Sequence, residues 1–160
     1  MRLTVLAVGR LKSGPEQDLC KRYEKRLDAT GRAVALGPLK IIEHVESRAA
    51  NAIQRKSDEA DRLLKSVDNG AVIVALDEHG KHMTSETFAS WIAAQRDDGT
   101  QHMAFVVGGP DGLAATTLKR ATLKLSLSAL TMPHGLARVH LVEQLYRAVT
   151  ILSGHPYHRV

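Results

Sequence analysis

Residues 71–76 read Ala-Val-Ile-Val-Ala-Leu, six apolar residues in a row that stop at Asp77-Glu78-His79-Gly80. A run this short, closed by polar residues and a glycine, predicts a strand buried on both faces, as in a parallel sheet covered by helices. The same signal recurs on either side. Residues 3–8 end at Gly9, residues 102–107 end at Gly108-Gly109-Pro110-Asp111-Gly112, and residues 123–127 lead into Ser128-Ala129-Leu130-Thr131-Met132-Pro133. Residues 36–45, interrupted by Gly37-Pro38, predict a further strand.

Amphipathic segments separate these strands. Pro15 follows Ser13-Gly14 and precedes Leu19, Tyr23 and Leu27, which recur every four residues and predict a helix ending near Gly31. Ser47 is placed to cap a second helix whose apolar stripe is Ile53, Ala60, Leu63, Leu64 and Val67. Thr84 or Ser85 starts a third helix, a short fourth covers 113–121, and a long last one covers about 136–152. Five strands alternating with five helices predict one α/β domain with a mostly parallel sheet flanked by helices. Ligands of such sheets sit beyond the carboxyl ends of the strands, which selects the loops after Leu76, Val107 and Leu127.

Composition narrows the partners. The chain has 160 residues, 44% of them apolar and 24% charged, enough for one domain with a substantial core. Only six residues are aromatic, which argues against an RNA surface made of rows of stacking rings and for mainly electrostatic RNA contact. Net charge is +5, and residues 1–65 supply the whole excess, with 14 Lys/Arg against 9 Asp/Glu. That asymmetry suits a polyanionic partner, and equally a solvated face. Cys20 is the single cysteine, which rules out an intrachain disulfide and a cysteine zinc cluster and fits a reducing cytosol. Within its helix it reads as a structural thiol. No apolar run approaches the roughly 18 residues of a membrane span, and residues 1–10 read as a strand rather than a signal segment.

Three segments carry candidate chemistry. Gly108-Gly-Pro-Asp-Gly112 lacks the G-x-G-x-x-G and G-K-[ST] spacings, so neither a dinucleotide fingerprint nor a P-loop is present. It remains either a tight connection or a close backbone approach to a ligand. Residues 127–132 are uncharged and suit a flat apolar ligand held by main-chain groups between Leu130 and Met132, or simply a buried loop. The last helix spreads Val139, Leu141, Val142, Leu145, Tyr146, Ala148, Val149 and Leu152 over about half its circumference. Such an arc demands a second packing partner, either another chain or more of this one. The tail brings together His155, Tyr157, His158 and Arg159, groups able to accept a weakly acidic proton or hold an anion.

Six segments in order complete the reading. Leu3-Thr-Val-Leu-Ala-Val-Gly9, Leu76-Asp77-x-x-Gly80-Lys81, Val107-Gly-Gly-Pro-Asp-Gly-Leu113, Leu125-Ser-Leu-Ser-Ala-Leu-Thr-Met-Pro-His134, Arg138-Val-x-Leu-x-Glu-Gln-Leu-Tyr-Arg147 and His155-Pro-Tyr-His-Arg159 span nearly the whole chain. Together they resemble the bacterial large-subunit rRNA pseudouridine N3-methyltransferases of the SPOUT superfamily. The resemblance implies a SPOUT-type α/β knot, a deep trefoil in the C-terminal half, which the general rarity of knots would otherwise argue against. It implies a single domain over 1–160, with knot and cofactor loops within about 71–153 and a catalytic tail at 155–160. It also implies a cytoplasmic homodimer that needs no metal or membrane, binds S-adenosylmethionine and acts on large-subunit rRNA within the assembled ribosome. By position, the cofactor contacts are Leu76, Gly108, Leu127, Ser128, Ala129, Leu130, Thr131 and Met132. The catalytic group is His155, Tyr157, His158 and Arg159, with His158 the expected proton acceptor. Residues 43–52 align poorly with that family, and Asp111 receives no role. A noncatalytic rRNA-binding relative would be expected to have damaged cofactor loops, and an oxidoreductase would need the missing glycine fingerprint.

Overall fold

A computed structural model describes residues 1–158. Its elements run β1 (Arg2–Val8), α1 (Pro15–Gly31), β2 (Leu39–His44), α2 (Ala52–Lys65), β3 (Val72–His82), α3 (Ser85–Asp97), β4 (His102–Val107), α4 (Ala115–Arg120), β5 (Leu123–Ser126) and α5 (His134–Leu152), with a 3₁₀ turn at Arg32–Val34. The five strands form one sheet in the order β2-β1-β4-β3-β5, and every pairing is parallel. β1 and β4 lie at the centre and are almost wholly buried, as their unbroken apolar runs require.

Crossover direction decides which face each helix covers. The connections β1→β2 and β3→β4 run toward the β2 edge, while β2→β3 and β4→β5 run toward the β5 edge. A constant crossover hand therefore puts α1 and α3 on one face and α2 and α4 on the other. The core divides accordingly. Cys20, Leu27, Phe88, Ile92, Leu141, Leu145 and Val149 pack with Val5, Met103 and Phe105 on the first face. Leu63 and Leu64 pack with Leu6, Val8, Ile73 and Val106 on the second.

α5 returns from β5 to lie between α1 and α3. Leu141, Val142, Leu145, Tyr146, Ala148 and Val149 are buried within this one chain. The wide apolar arc of α5 is thus filled by its own domain, so it gives no argument for a partner chain. Arg138 locks the return. It is 3% exposed, and its Nη1 donates to Glu43 Oε1 at 2.7 Å while Nη2 donates to the Val8 carbonyl at 2.8 Å. One side chain on α5 thereby holds the carboxyl ends of β1 and β2.

Some local expectations are corrected. α2 is capped by Asn51, whose side chain accepts from the Gln54 N–H, because Ser47 is engaged elsewhere. The Ser47 hydroxyl donates to Asp58 and its N–H donates to buried Glu59. Ile53 is 81% exposed, since the first turn of α2 precedes Glu59, the first residue of the helix that packs inward. β3 continues past Leu76 to His82 rather than ending there. Cys20 is buried, and burial pushes its thiol up to about 11, which makes it structural rather than nucleophilic. No helix among the described residues is long and apolar enough to cross a membrane.

Candidate functional site

The carboxyl ends of β3, β4 and β5 open into a cleft of about 210 Å³. Leu76, Gly108, Leu127, Ser128, Leu130, Thr131 and Met132 line it, so seven of the eight residues expected to hold a cofactor meet in one place. Ala129 is the exception and does not reach the wall.

Each loop is shaped by a specific constraint. A Cβ on Gly108 would sit 2.8 Å from the Gly112 carbonyl carbon and 3.0 Å from the Leu113 nitrogen. Only glycine lets this turn close on itself, with the Gly112 N–H donating to the Gly109 carbonyl at 2.9 Å. In the β5–α5 loop, Ser126 Oγ donates to the Ser128 carbonyl, and Ser128 Oγ accepts from the Leu130 N–H at 2.9 Å. These short side-chain bonds hold an extended, uncharged loop whose Leu130 side chain is 78% exposed.

The third wall comes from an irregularity in β3. Leu76 and Lys81 both pair with Leu125, so residues 77–80 bulge from the ladder between them. Gly80 brings the chain back, since a Cβ there would lie 2.7 Å from the main chain of Lys124 and Leu125. The bulge carries Asp77 and Glu78 to the cleft wall, a placement that bulges beside active sites commonly achieve. Sequence reasoning quoted Asp77 only as part of a motif. His134 and Ala137 of α5 also line the cleft, beyond the Leu127–Met132 segment that the resemblance marks.

Asp111 also gains a role. Arg55 of α2 grips it with two bonds, Nε to Oδ2 at 2.6 Å and Nη2 to Oδ1 at 3.0 Å. The same guanidinium donates from Nη1 to the carbonyls of Ala49 and Ala50. The Gly108–Gly112 loop is therefore latched to α2 and to the segment before it. Arg55 holds the Asp111 carboxyl below the usual carboxylate range, through the direct hydrogen bond first and charge second.

The tail lies along α5 but does not line the cleft. Tyr157 anchors it. Its ring packs on Tyr146 at 4.7 Å and beneath Arg147 at 5.0 Å, and its hydroxyl donates to Glu143 at 3.0 Å and meets the Tyr23 hydroxyl at 3.3 Å. Burial and these bonds raise the phenol well above its ordinary value, so it is neutral at any working pH. His155 accepts from the Tyr157 N–H through Nδ1 at 3.1 Å. His158 Nε2 lies 3.2 Å from Glu86 at the start of α3. Arg159 lies outside the described residues. Glu143 is six residues beyond Ala137, about 9 Å along the α5 axis and on another side of the helix. Within one chain, then, the described tail residues pack on α5 and α3 and do not line the cofactor cleft.

A groove of about 380 Å³ with mixed charge adjoins the cleft and shares His134 with it. Arg10, Lys12 and Arg138 line it, together with Glu16 and Glu46. Part of the basic excess is spent internally, since Arg2 pairs with Asp68, Arg55 with Asp111, and Arg62 donates to the Val45 carbonyl. Among the described residues no group of three His, Cys, Asp or Glu is placed to hold a metal.

Comparison with known proteins completes the site. The family described as "Predicted SPOUT methyltransferase" matches residues 1–158. The chain is 52% identical over 160 residues to a protein of Agrobacterium fabrum named "Ribosomal RNA large subunit methyltransferase H", covering all of both chains. A protein of the same name from Rhizobium leguminosarum bv. trifolii is 51% identical, again over the full length of both. Among solved structures, the SpoU methyltransferase AviRb of Streptomyces viridochromogenes in complex with AdoMet is 14% identical, with a TM-score of 0.43 over 91% of this chain and 57% of that one. With its parallel sheet, its helices on both faces and a family match over 158 residues, the chain belongs to the SPOUT methyltransferases.

Proposed function

We propose that this protein is an S-adenosylmethionine-dependent enzyme that methylates N3 of a pseudouridine in a hairpin loop of large-subunit rRNA, on the assembled ribosome, in the cytoplasm. One observation carries the reading: three loops distant in sequence, at Leu76, Gly108 and Leu127–Met132, line a single cleft at the sheet's carboxyl end. The full-length relatives named as large-subunit rRNA methyltransferases supply the substrate class.

The cleft's own residues fit the donor. Leu76, Leu127 and Met132 offer apolar walls to an adenine ring, and the Gly108 turn brings main chain, not side chain, to the ligand. When bound, S-adenosylmethionine supplies an electrophilic methyl group. The chain's task is then alignment of the acceptor nitrogen and removal of its proton. In this reading His158 accepts the imide proton, Glu86 orients the His158 ring from 3.2 Å, and Arg159 holds a carbonyl oxygen or phosphate. Tyr157 positions the tail through Glu143 and Tyr23. The return of residues 127–133 across the strand ends into α5 is read as the threading segment of the knot.

A homodimer belongs to this proposal. No described tail residue lines the cleft, and Leu130 on its wall and Leu136 in the first turn of α5 remain exposed. A second copy would cover these leucines and bring a tail to the cleft. The test is mass spectrometry of rRNA from cells lacking the protein. Loss of one methyl-pseudouridine, restored by the wild type and not by His158→Ala, is expected. An unaltered nucleotide would refute the substrate. A His158→Ala enzyme with normal rate would remove the tail's chemical role.

A further inference from the structure

The cofactor cleft is electrically lopsided. Asp77 and Glu78 are the only Asp, Glu, Lys or Arg residues among those lining it. Glu78 is largely exposed, with a side chain 77% accessible, and lies 3.5 Å from His79, so its charge is screened. Asp77 is half-buried, and its Oδ1 is fixed by the His79 N–H at 2.9 Å. No ion pair engages Asp77 among the described residues. The bulge that begins at Asp77, closed by Gly80 against Lys124 and Leu125, exists at the cost of an interrupted ladder.

We propose that Asp77 is a specificity-determining residue that makes the cleft prefer the cationic methyl donor over its neutral product. The inference rests on the reading of S-adenosylmethionine as cofactor. Methyl transfer forms the N3–C bond and breaks the S–C bond. Sulfur keeps the electron pair and loses its positive charge, while the imide proton passes to the base. Donor and product otherwise present the same adenosine and amino-acid groups, so apolar walls and main-chain bonds cannot separate them strongly. A fixed, unpaired carboxylate can, because the sulfonium is the one charge that the donor carries and the product lacks. The consequence is a site that holds the charged donor more tightly than the product it becomes.

Calorimetry on the full-length protein tests this with S-adenosylmethionine, S-adenosylhomocysteine and sinefungin, an analogue whose amine keeps the positive charge. Wild type is expected to bind both cations more tightly than the homocysteine. Asp77→Asn should cut that preference about tenfold, the order of one partly screened charge pair. It should act on the two cations and leave the neutral ligand nearly unchanged. Asp77→Glu should retain the preference, which separates charge from folding damage, and thermal melting of each variant checks the fold. Equal weakening of all three ligands would make Asp77 a hydroxyl acceptor and overturn the proposal, as would no change. Failure of wild type to bind any of the three would overturn the cofactor reading itself, a result distinct from a wild type that binds but shows no effect at Asp77.

Discussion

Arg138→Met is the sharpest perturbation of the fold, because one buried cation ties the last helix to the first two strands. The guanidinium is 3% exposed and spends two donors on Glu43 and the Val8 carbonyl. Burial pulls its proton affinity below that of an ordinary arginine, and Glu43 is the principal group that offsets this. Methionine keeps most of the volume and removes the charge. The Val8 carbonyl then loses a charge-assisted bond in a dry environment, at a cost of about 1–3 kcal/mol. Glu43 loses its counter-ion but still accepts the Leu11 N–H at 2.9 Å, and its side chain is 26% exposed. The total therefore falls near ~3 kcal/mol, the low end of the range for breaking a buried pair. For a chain of this size that is a fall of roughly 6–12 °C in Tm.

Urea unfolding of Arg138→Met, Glu43→Gln and the double variant measures the pair separately from its surroundings. Glutamine keeps an acceptor for Leu11 without a charge that needs a partner. The double variant should then be more stable than the sum of the singles predicts, by about 1–2 kcal/mol. Strict additivity, or a loss below about 1 kcal/mol in Arg138→Met, would show that α5 is held by its apolar packing alone.

Gly80→Ala forces a Cβ onto the Lys124–Leu125 main chain and should cost about 1–3 kcal/mol while weakening cofactor binding, because the bulge bearing Asp77 must move. A variant with wild-type melting and affinity would refute that constraint. Arg55→Gln and Asp111→Asn each release the glycine loop from α2, so each should raise the cofactor Kd by calorimetry, and the pair together should do little more than either alone. His44 and His102 both titrate below the ordinary histidine value, burial first and then the cations Arg62 and Arg2 respectively. The unfolded chain, with its histidines near 6.5, then binds more protons. Stability should be full above pH 6.5 and decline as the pH falls below it. His102→Gln should flatten part of that decline in urea midpoints, and a wild-type midpoint constant from pH 7 to 5 would contradict the assignment.

What could be read from sequence was what short-range chemistry determines. Residues 71–76 and 102–107 could only be buried strands, and the loops that follow them, with the one after Leu127, do line the cleft. The failures are contacts between residues far apart in the chain. Ser47 and Asn51 are both able to cap a helix, and only Asp58 and Glu59, a dozen residues on, decide which one does. The bulge at 77–80 is set by a register with β5 that no local pattern encodes. The bond of Asp111 is not legible because its partner, Arg55, is 56 residues away, and the anchoring of Tyr157 is not legible because Tyr23 is 134 residues away. The arc on α5 was correctly seen as needing two neighbours, but α1 and α3 supply both.

Charge placement links these pieces. The positive excess lies in residues 1–65, and the part of it that stays accessible beside the site is Arg10 and Lys12 in the groove that shares His134 with the cleft. The cleft itself carries Asp77 and no lysine or arginine. Glu16 and Glu46 share the groove, so its pull on an RNA phosphate rests on Arg10 and Lys12 alone, while a sulfonium donor meets Asp77 in the cleft. Two lysine-type contacts give little affinity and much salt sensitivity, so Arg10→Gln and Lys12→Gln should each lower the salt slope of RNA binding by about one. Neither should alter calorimetric binding of the cofactor. If they did, the two fields would overlap and the separation argued from the lining residues would be wrong.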